Sequence, residues 1–146
     1  MEIAAKQYSG LTLDELYRIL QMRSSVFMLE QRIICMDMDE VDKRAVHFMG
    51  IVEGYIIAYL RLYHEDGCIK IGRVLTLKEH RGQGHGKMLM DAAVAYAQRA
   101  FPGLPIKLHS QCQVIAFYES CGFKVCSDEF LEEGVRHREM LYDGTN

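Results

Sequence analysis

The chain contains no tryptophan and only two prolines, Pro102 and Pro105, which sit in one short stretch. Nothing reads as a proline-rich linker, a repeat or a low-complexity segment. No apolar run is long enough to cross a bilayer, so no membrane partner is expected. An excess of basic residues is also missing: 17 Lys and Arg stand against 20 Asp and Glu, a net charge of -3, which leaves no cationic surface for nucleic acid. The first residues, Met1 to Lys6, run into a polar Gln7-Tyr8-Ser9-Gly10 where a signal peptide needs an apolar stretch. Five cysteines, at 35, 68, 112, 121 and 126, form neither an even set nor a Cys-x-x-Cys pair. A disulfide framework and a zinc site are both unexpected, and the thiols read as reduced in a cytoplasmic protein.

What is present is the composition of an ordinary globular protein. With 49% hydrophobic residues over 146 positions there is enough to fill one core, and a single domain over 1–146 is expected.

Thr12-x-x-Glu15 has the form of a capping box, and Leu13, Leu16, Tyr17, Leu20, Val26 and Phe27 follow at helical spacing, so a helix over about 12–28 is expected. An acid-rich loop holds Asp37, Asp39, Glu40 and Asp42. Strand patterns follow over 47–51, 55–63 and 68–77, joined by turns at Glu53-Gly54 and at 64–67. Met88, Leu89, Ala92, Ala93 and Tyr96 predict a helix over 87–99. A short strand over 106–109, a short helix over 114–121 stopped by Gly122, and two strands over 123–130 and 137–142 complete the series. The order is mixed α+β, and the crossover helix over 87–99 predicts that the strands on either side of it run parallel.

Between the third strand and that helix lies Arg81-Gly82-Gln83-Gly84-His85-Gly86. Glycines there let an anion approach the main chain, and the helix behind adds unpaired N–H groups and a positive dipole end, a place for a pyrophosphate. A P-loop needs Gly-Lys-Ser/Thr, but Gly86-Lys87 is followed by Met88. A dinucleotide fingerprint needs Gly-x-Gly-x-x-Gly after the first strand of a βαβ unit, and the spacing and position here are wrong for it.

The motif that fits is Gln/Arg-x-x-Gly-x-Gly/Ala between strand and helix. Further on, Gln111-x-x-Val114-x-x-x-Tyr118-x-x-x-Gly122-Phe123 follows the form Asn-x-x-Ala-x-x-x-Tyr-x-x-x-Gly-Phe, with Gln for Asn and Val for Ala. In these two motifs the chain resembles the GNAT superfamily of N-acetyltransferases, over about residues 45–142. A finer resemblance, to the ElaA branch, lies in Arg23-x-x-Val26-Phe27-x-x-Glu30-Gln31, Asp37-x-Asp39-x-x-Asp42, His47, Gly72-Arg73-Val74 and Glu133-Gly134-x-x-His137-x-x-Met140.

The resemblance implies a GNAT fold, a twisted mixed sheet of about six or seven strands with helices on both faces. It also implies acetyl transfer from acetyl-CoA to a primary amine, a small molecule or peptide, by direct attack in a ternary complex and without a metal. A non-catalytic acyl-CoA-binding module is the alternative. Oligomeric state stays open, dimers being frequent among such proteins. By the same resemblance Arg81, Gly82, Gln83, Gly84, His85, Gly86 and Lys87 bind the CoA pyrophosphate. The backbone of Val74, Leu75 and Thr76 binds the pantetheine arm, across a β-bulge that splays the two parallel strands, and Gln111 and Tyr118 complete the site. Tyr118 is the expected acid at the departing sulfur. An ammonium must lose a proton before it attacks, and Glu30, His47, His109 and His137 are the candidate bases; Glu30 and His137 are carried forward in that role, His47 and His109 as acceptor contacts. Arg73 reads equally as a partner for a substrate carboxylate or for an acid of the chain. The acids at 37–42 read as a field for a cationic substrate or as a solvated loop. A covalent cysteine route is not expected, because nothing beside Cys112 or Cys121 lowers a thiol pKa.

Overall fold

A computed structural model describes residues 1–144; the last two residues of the expected 1–146 domain lie outside the described part. The element that sequence patterning missed comes first. Strand β1 (Glu2–Gln7) lies antiparallel on β2 (Val46–Val52), at the edge of the sheet. Its inner residues are only half covered, so its apolar pattern is weak.

Thr12 caps helix α1 (Leu13–Arg23) as expected: its hydroxyl accepts from the Glu15 N–H at 3.0 Å and the Glu15 carboxylate accepts from the Thr12 N–H at 2.8 Å. Such a cap stabilises a helix by about 1 kcal/mol. The expected helix over 12–28 changes character at Arg23, where the α-helix gives way to wider π-helical turns over Ser24–Glu30. Turns of this kind concentrate at functional sites.

Strands β2, β3 (Tyr55–Glu65) and β4 (Cys68–Thr76) form the expected meander. Both connections, Glu53-Gly54 and Asp66-Gly67, have positive φ at their two central residues, the form that matches strand twist. Helix α2 (His85–Ala100) crosses over to β5 (Ile106–Gln111), which pairs parallel with β4. Helix α3 (Ile115–Ser120) follows a single 3-10 turn and leads into β6 (Phe123–Val125). The single strand expected over 123–130 is two: the chain leaves the sheet after β6 and returns as β7 (Phe130–Glu132) on the other end of β8 (Val135–Tyr142). At the break the Ser127 hydroxyl accepts the Glu139 N–H at 2.8 Å, in place of a ladder carbonyl.

The resulting mixed sheet has eight strands in the order β1-β2-β3-β4-β5-β8-β6, with β7 on β8. Alternate residues of the meander feed two cores. Phe48, Leu60 and Leu62 pack with Leu89, Met90 and Ala93 of α2, and Tyr118 and Phe123 join them. Met49, Tyr59 and Leu75 pack with Ile19, Met22 and Val26 on the opposite face. Helices therefore cover both faces, as expected. No helix among the described residues is long and apolar enough to cross a membrane.

One irregularity positions everything that follows. Arg61 pairs with Gly72 and Tyr59 with Leu75, so Arg73 and Val74 together stand opposite Leu60. This is a β-bulge, and Arg73 adopts a φ of 52° within it. Pairing of β4 with β5 ends at Ile71–Leu108, and beyond that point the two strands separate.

Candidate active site

The separation of β4 and β5 opens a cleft of about 1040 Å³. Val74, Leu75, Thr76, Gln111, Phe117 and Tyr118 line it. The Val74 and Leu75 side chains pack in the two cores, so their contribution to the cleft is the strand edge that β5 no longer pairs.

Gly82 and Gly84, at the mouth, have φ of 76° and 81°, and a Cβ built on either meets no atom within 4 Å. The chain there is left-handed and its surface is bare, so an anion reaches the main chain unobstructed. Helix α2 starts at His85, two residues before the expected position, which turns His85, Gly86 and Lys87 into its first turn. Their N–H groups have no acceptor within the helix and form the positive end of its dipole. A Cβ on Gly86 would lie 3.2 Å from Phe117 Cζ, so this glycine allows α2 to meet α3. Gln83, unlike its neighbours, does not line the cleft.

Arg81 acts differently from expectation. Its Nε donates to the Thr76 carbonyl at 2.8 Å, and its two terminal nitrogens hold the Glu30 carboxylate at 2.6 and 3.0 Å. The side chain ties the glycine loop to the end of the π-helical segment. The same pair corrects the reading of Glu30 as a base. It lies outside the cleft lining, and its hydrogen bonds to Arg81 hold the carboxyl below its ordinary range, which weakens it as a proton acceptor.

Tyr118 sits at the inner end of the cleft, 8% exposed, between the rings of Phe117 and Phe123. Among the described residues nothing hydrogen bonds its hydroxyl, and burial pushes the phenol well above its ordinary range. It keeps its proton at neutral pH and has it free to give. Burial likewise raises the thiols of Cys112 and Cys121, and all five cysteines are unpaired, so no activated thiol competes with it.

The opposite wall is a charge network. Asp37 and Asp42 of the acidic loop are buried, Asp37 and Asp39 line the cleft, and Glu40 is exposed and pairs with Lys43. Buried Arg23 donates from Nε to Asp37 at 2.8 Å, from one terminal nitrogen to Asp42 at 2.7 Å, and from the other to the Asp37 carbonyl at 2.9 Å. Arg61 grips the Asp39 carboxylate at 2.6 and 2.7 Å and reaches Asp42 at 2.9 Å. Arg73, which also lines the cleft, donates to Asp37 at 2.8 Å, so its partner within the chain is an acid. Burial opposes the charge on Asp42, but the hydrogen bond from Arg23 and the nearness of Arg61 outweigh it and hold the carboxyl low. Three arginines from α1, β3 and β4 thus bolt residues 37–42 onto the sheet.

His47 belongs to this network and not to the cleft, contrary to its expected contact with the acceptor. It is wholly buried. Its Nε2 lies 2.8 Å from the Asp42 carbonyl and must donate, so Nδ1 accepts from the Tyr59 hydroxyl at 2.6 Å. Burial lowers its pKa and keeps it neutral.

His109 and His137 do line the cleft, beside Glu132, a residue that sequence reasoning passed over. His109 Nδ1 is 2.8 Å from Glu132 Oε1, and its Nε2 is 3.4 Å from Glu139. The hydrogen bond to Glu132 raises the His109 pKa. His137 is 6% exposed, donates from Nδ1 to the Val135 carbonyl at 2.7 Å and stacks on Phe130. Gln111, paired with His137 across β5 and β8, donates to Gln31 at 2.9 Å and so joins the two walls.

Comparison with known proteins bears on the family and the fold. The profile of the acetyltransferase (GNAT) domain matches residues 25–143. A UPF0039 protein of Schizosaccharomyces pombe is 36% identical over 143 residues, covering 96% of this chain and 95% of that one. The crystal structure of an acyl-CoA N-acyltransferase from Pseudomonas aeruginosa superposes with a TM-score of 0.90 at 34% identity, covering 97% of this chain and 99% of that one. Escherichia coli ElaA superposes with a TM-score of 0.91 at 29% identity and the same coverage.

Proposed function

The chain belongs to the GNAT acetyltransferase family, and we propose that it moves the acetyl group of acetyl-CoA to a primary amine by direct attack, with both substrates bound in one domain. One observation carries this reading: the open first turn of α2 and the unpartnered Tyr118 hydroxyl face the same cleft, along the strand edge freed where β4 leaves β5.

The residues fit acetyl-CoA. Gly82 and Gly84 leave room at the mouth, and the N–H groups of His85, Gly86 and Lys87 are donors for its pyrophosphate. The edge of β4 from Val74 to Thr76 offers backbone groups to the pantetheine arm. Gln111 flanks the arm from β5. The amine nitrogen forms the new C–N bond at the acetyl carbon while the C–S bond breaks and sulfur leaves with its electron pair. Tyr118 gives that sulfur a proton, and the excess proton on the new amide nitrogen restores the phenol.

Thermal unfolding in the presence of acetyl-CoA tests the binding half: the midpoint should climb steadily with ligand concentration. Release of free thiol across a panel of primary amines tests the transfer half. A midpoint that ignores acetyl-CoA defeats the reading. Binding without thiol release for any amine would leave a non-catalytic acyl-CoA-binding module.

A further inference from the structure

Glu132 and His137 form a pair whose chemistry is incomplete. The carbonyl of Val135 only accepts, so His137 Nδ1 carries the hydrogen and the neutral ring has its lone pair on Nε2. That lone pair lies 3.6 Å from Glu132 Oε2, beyond hydrogen-bond reach. Among the described residues no further hydrogen bond or ion pair reaches His137 Nε2, and the residue is almost wholly buried. Two acceptors therefore face one another across a gap with no donor between them, and both line the cleft. The arrangement is held from behind. Glu132 Oε1 is tied to His109, His109 is flanked by Glu139, and Phe130 lies against both imidazoles. His137 stands opposite Gln111, at the end of β5 that has diverged from β4.

We propose that Glu132 Oε2 and His137 Nε2 together bind the ammonium group of the acceptor, Glu132 holding its charge and His137 taking its proton. The acceptor class that follows is a cationic primary amine. An ammonium has three N–H donors, enough to bridge both acceptors at once. Proton transfer to Nε2 breaks one N–H bond and leaves its electron pair on the amine, which then attacks. The imidazolium so formed donates from Nδ1 to Val135 and from Nε2 toward Glu132, and later releases its proton to solvent. A second carboxylate, the exposed Glu133 at the β7–β8 turn, lines the cleft beside Glu132, with the guanidinium of Arg73 also near. The step after deprotonation rests on the acetyltransferase reading; the binding of an ammonium does not.

The test is a titration of the full chain with n-propylammonium at neutral pH, followed through its histidine ring NMR signals. Tetramethylammonium, a cation without an N–H, is the control. The His137 signals should move and saturate with propylammonium and stay still with tetramethylammonium. Glu132→Gln, which keeps size and shape, should weaken the response about tenfold or more, as loss of a charged hydrogen bond implies. No saturation in the wild type, an equal response to tetramethylammonium, or an unchanged response in Glu132→Gln would each overturn the proposal. Acetyl-CoA-dependent stabilisation, measured on the same samples, reports on the acetyltransferase reading separately. Its loss with ammonium binding intact sinks that reading and leaves the ammonium site standing.

Discussion

The wall of the cleft formed by the glycine loop and α2 offers main-chain groups, whereas the wall formed by residues 31–42 and the β7–β8 hairpin offers charged side chains that already hold one another. The first needs only a left-handed glycine or two and the start of a helix, because unpaired N–H groups come with every helix N-terminus. The second needs partners far apart in sequence: Arg23 meets Asp37 and Asp42, and Arg73 meets Asp37 from the far side of the meander. A site for a constant group such as a pyrophosphate is cheaply made from backbone. The rigidity of the side-chain wall comes from charges matched three against three.

Substitutions should separate the walls. The largest effect is expected for Arg23→Met, which leaves buried Asp37 and Asp42 with one arginine each, Arg73 and Arg61, at a cost of about 3 kcal/mol. Denaturant unfolding should show that loss while the folded protein still gains stability from acetyl-CoA as the wild type does; a loss below about 1 kcal/mol would put the network among ordinary surface pairs. Next is Gly84→Val, which forces a branched side chain into left-handed backbone at about 1–2 kcal/mol. Here the acetyl-CoA response itself should fall, and a full response would show that the loop does not hold the ligand.

His109→Gln should have a smaller effect with a distinctive pH dependence. The folded-state pKa of His109 is raised, first by its hydrogen bond to Glu132. Such a group stabilises the fold fully below its unfolded value, about 6.5, and loses that contribution as pH rises through the folded value. Wild type and variant should differ most in mildly acid solution and converge in alkaline solution; the reverse trend would refute the pairing. The smallest effect belongs to Glu30→Gln. Its pair with Arg81 is more than a third exposed on both sides, so the stability cost should not exceed about 1 kcal/mol. Turnover should persist, since Glu30 does not line the cleft; a fall of about 100-fold would restore it as the base.

The same contrast explains what could be read from sequence. The cap at Thr12, the meander turns, the crossover and the motif Tyr118–Phe123 are local patterns, and each appears where its spacing puts it. Edge strand β1 and the break between β6 and β7 escaped because half-covered residues and a hydroxyl standing in for a carbonyl leave no periodicity. Asp37, Asp39 and Asp42 read only as a field for a cation or a solvated loop because their arginines are 14 to 36 residues away. Glu132 was passed over because its partner His109 lies 23 residues away, although its position two residues before the turn glycine, on the strand facing His137, was the available clue. Burial of His47 was invisible for the same reason: nothing nearby in sequence says that both its nitrogens are occupied.

The central claim is that Tyr118 gives a proton to the sulfur leaving an acetyl-CoA bound between β4 and β5. Its most direct test is thiol release by Tyr118→Phe with a primary amine that the wild type acetylates, measured beside acetyl-CoA-induced thermal stabilisation. The account predicts release slowed by about 100-fold or more, with stabilisation unchanged. Release at the wild-type rate by a Tyr118→Phe protein that still binds acetyl-CoA would contradict it.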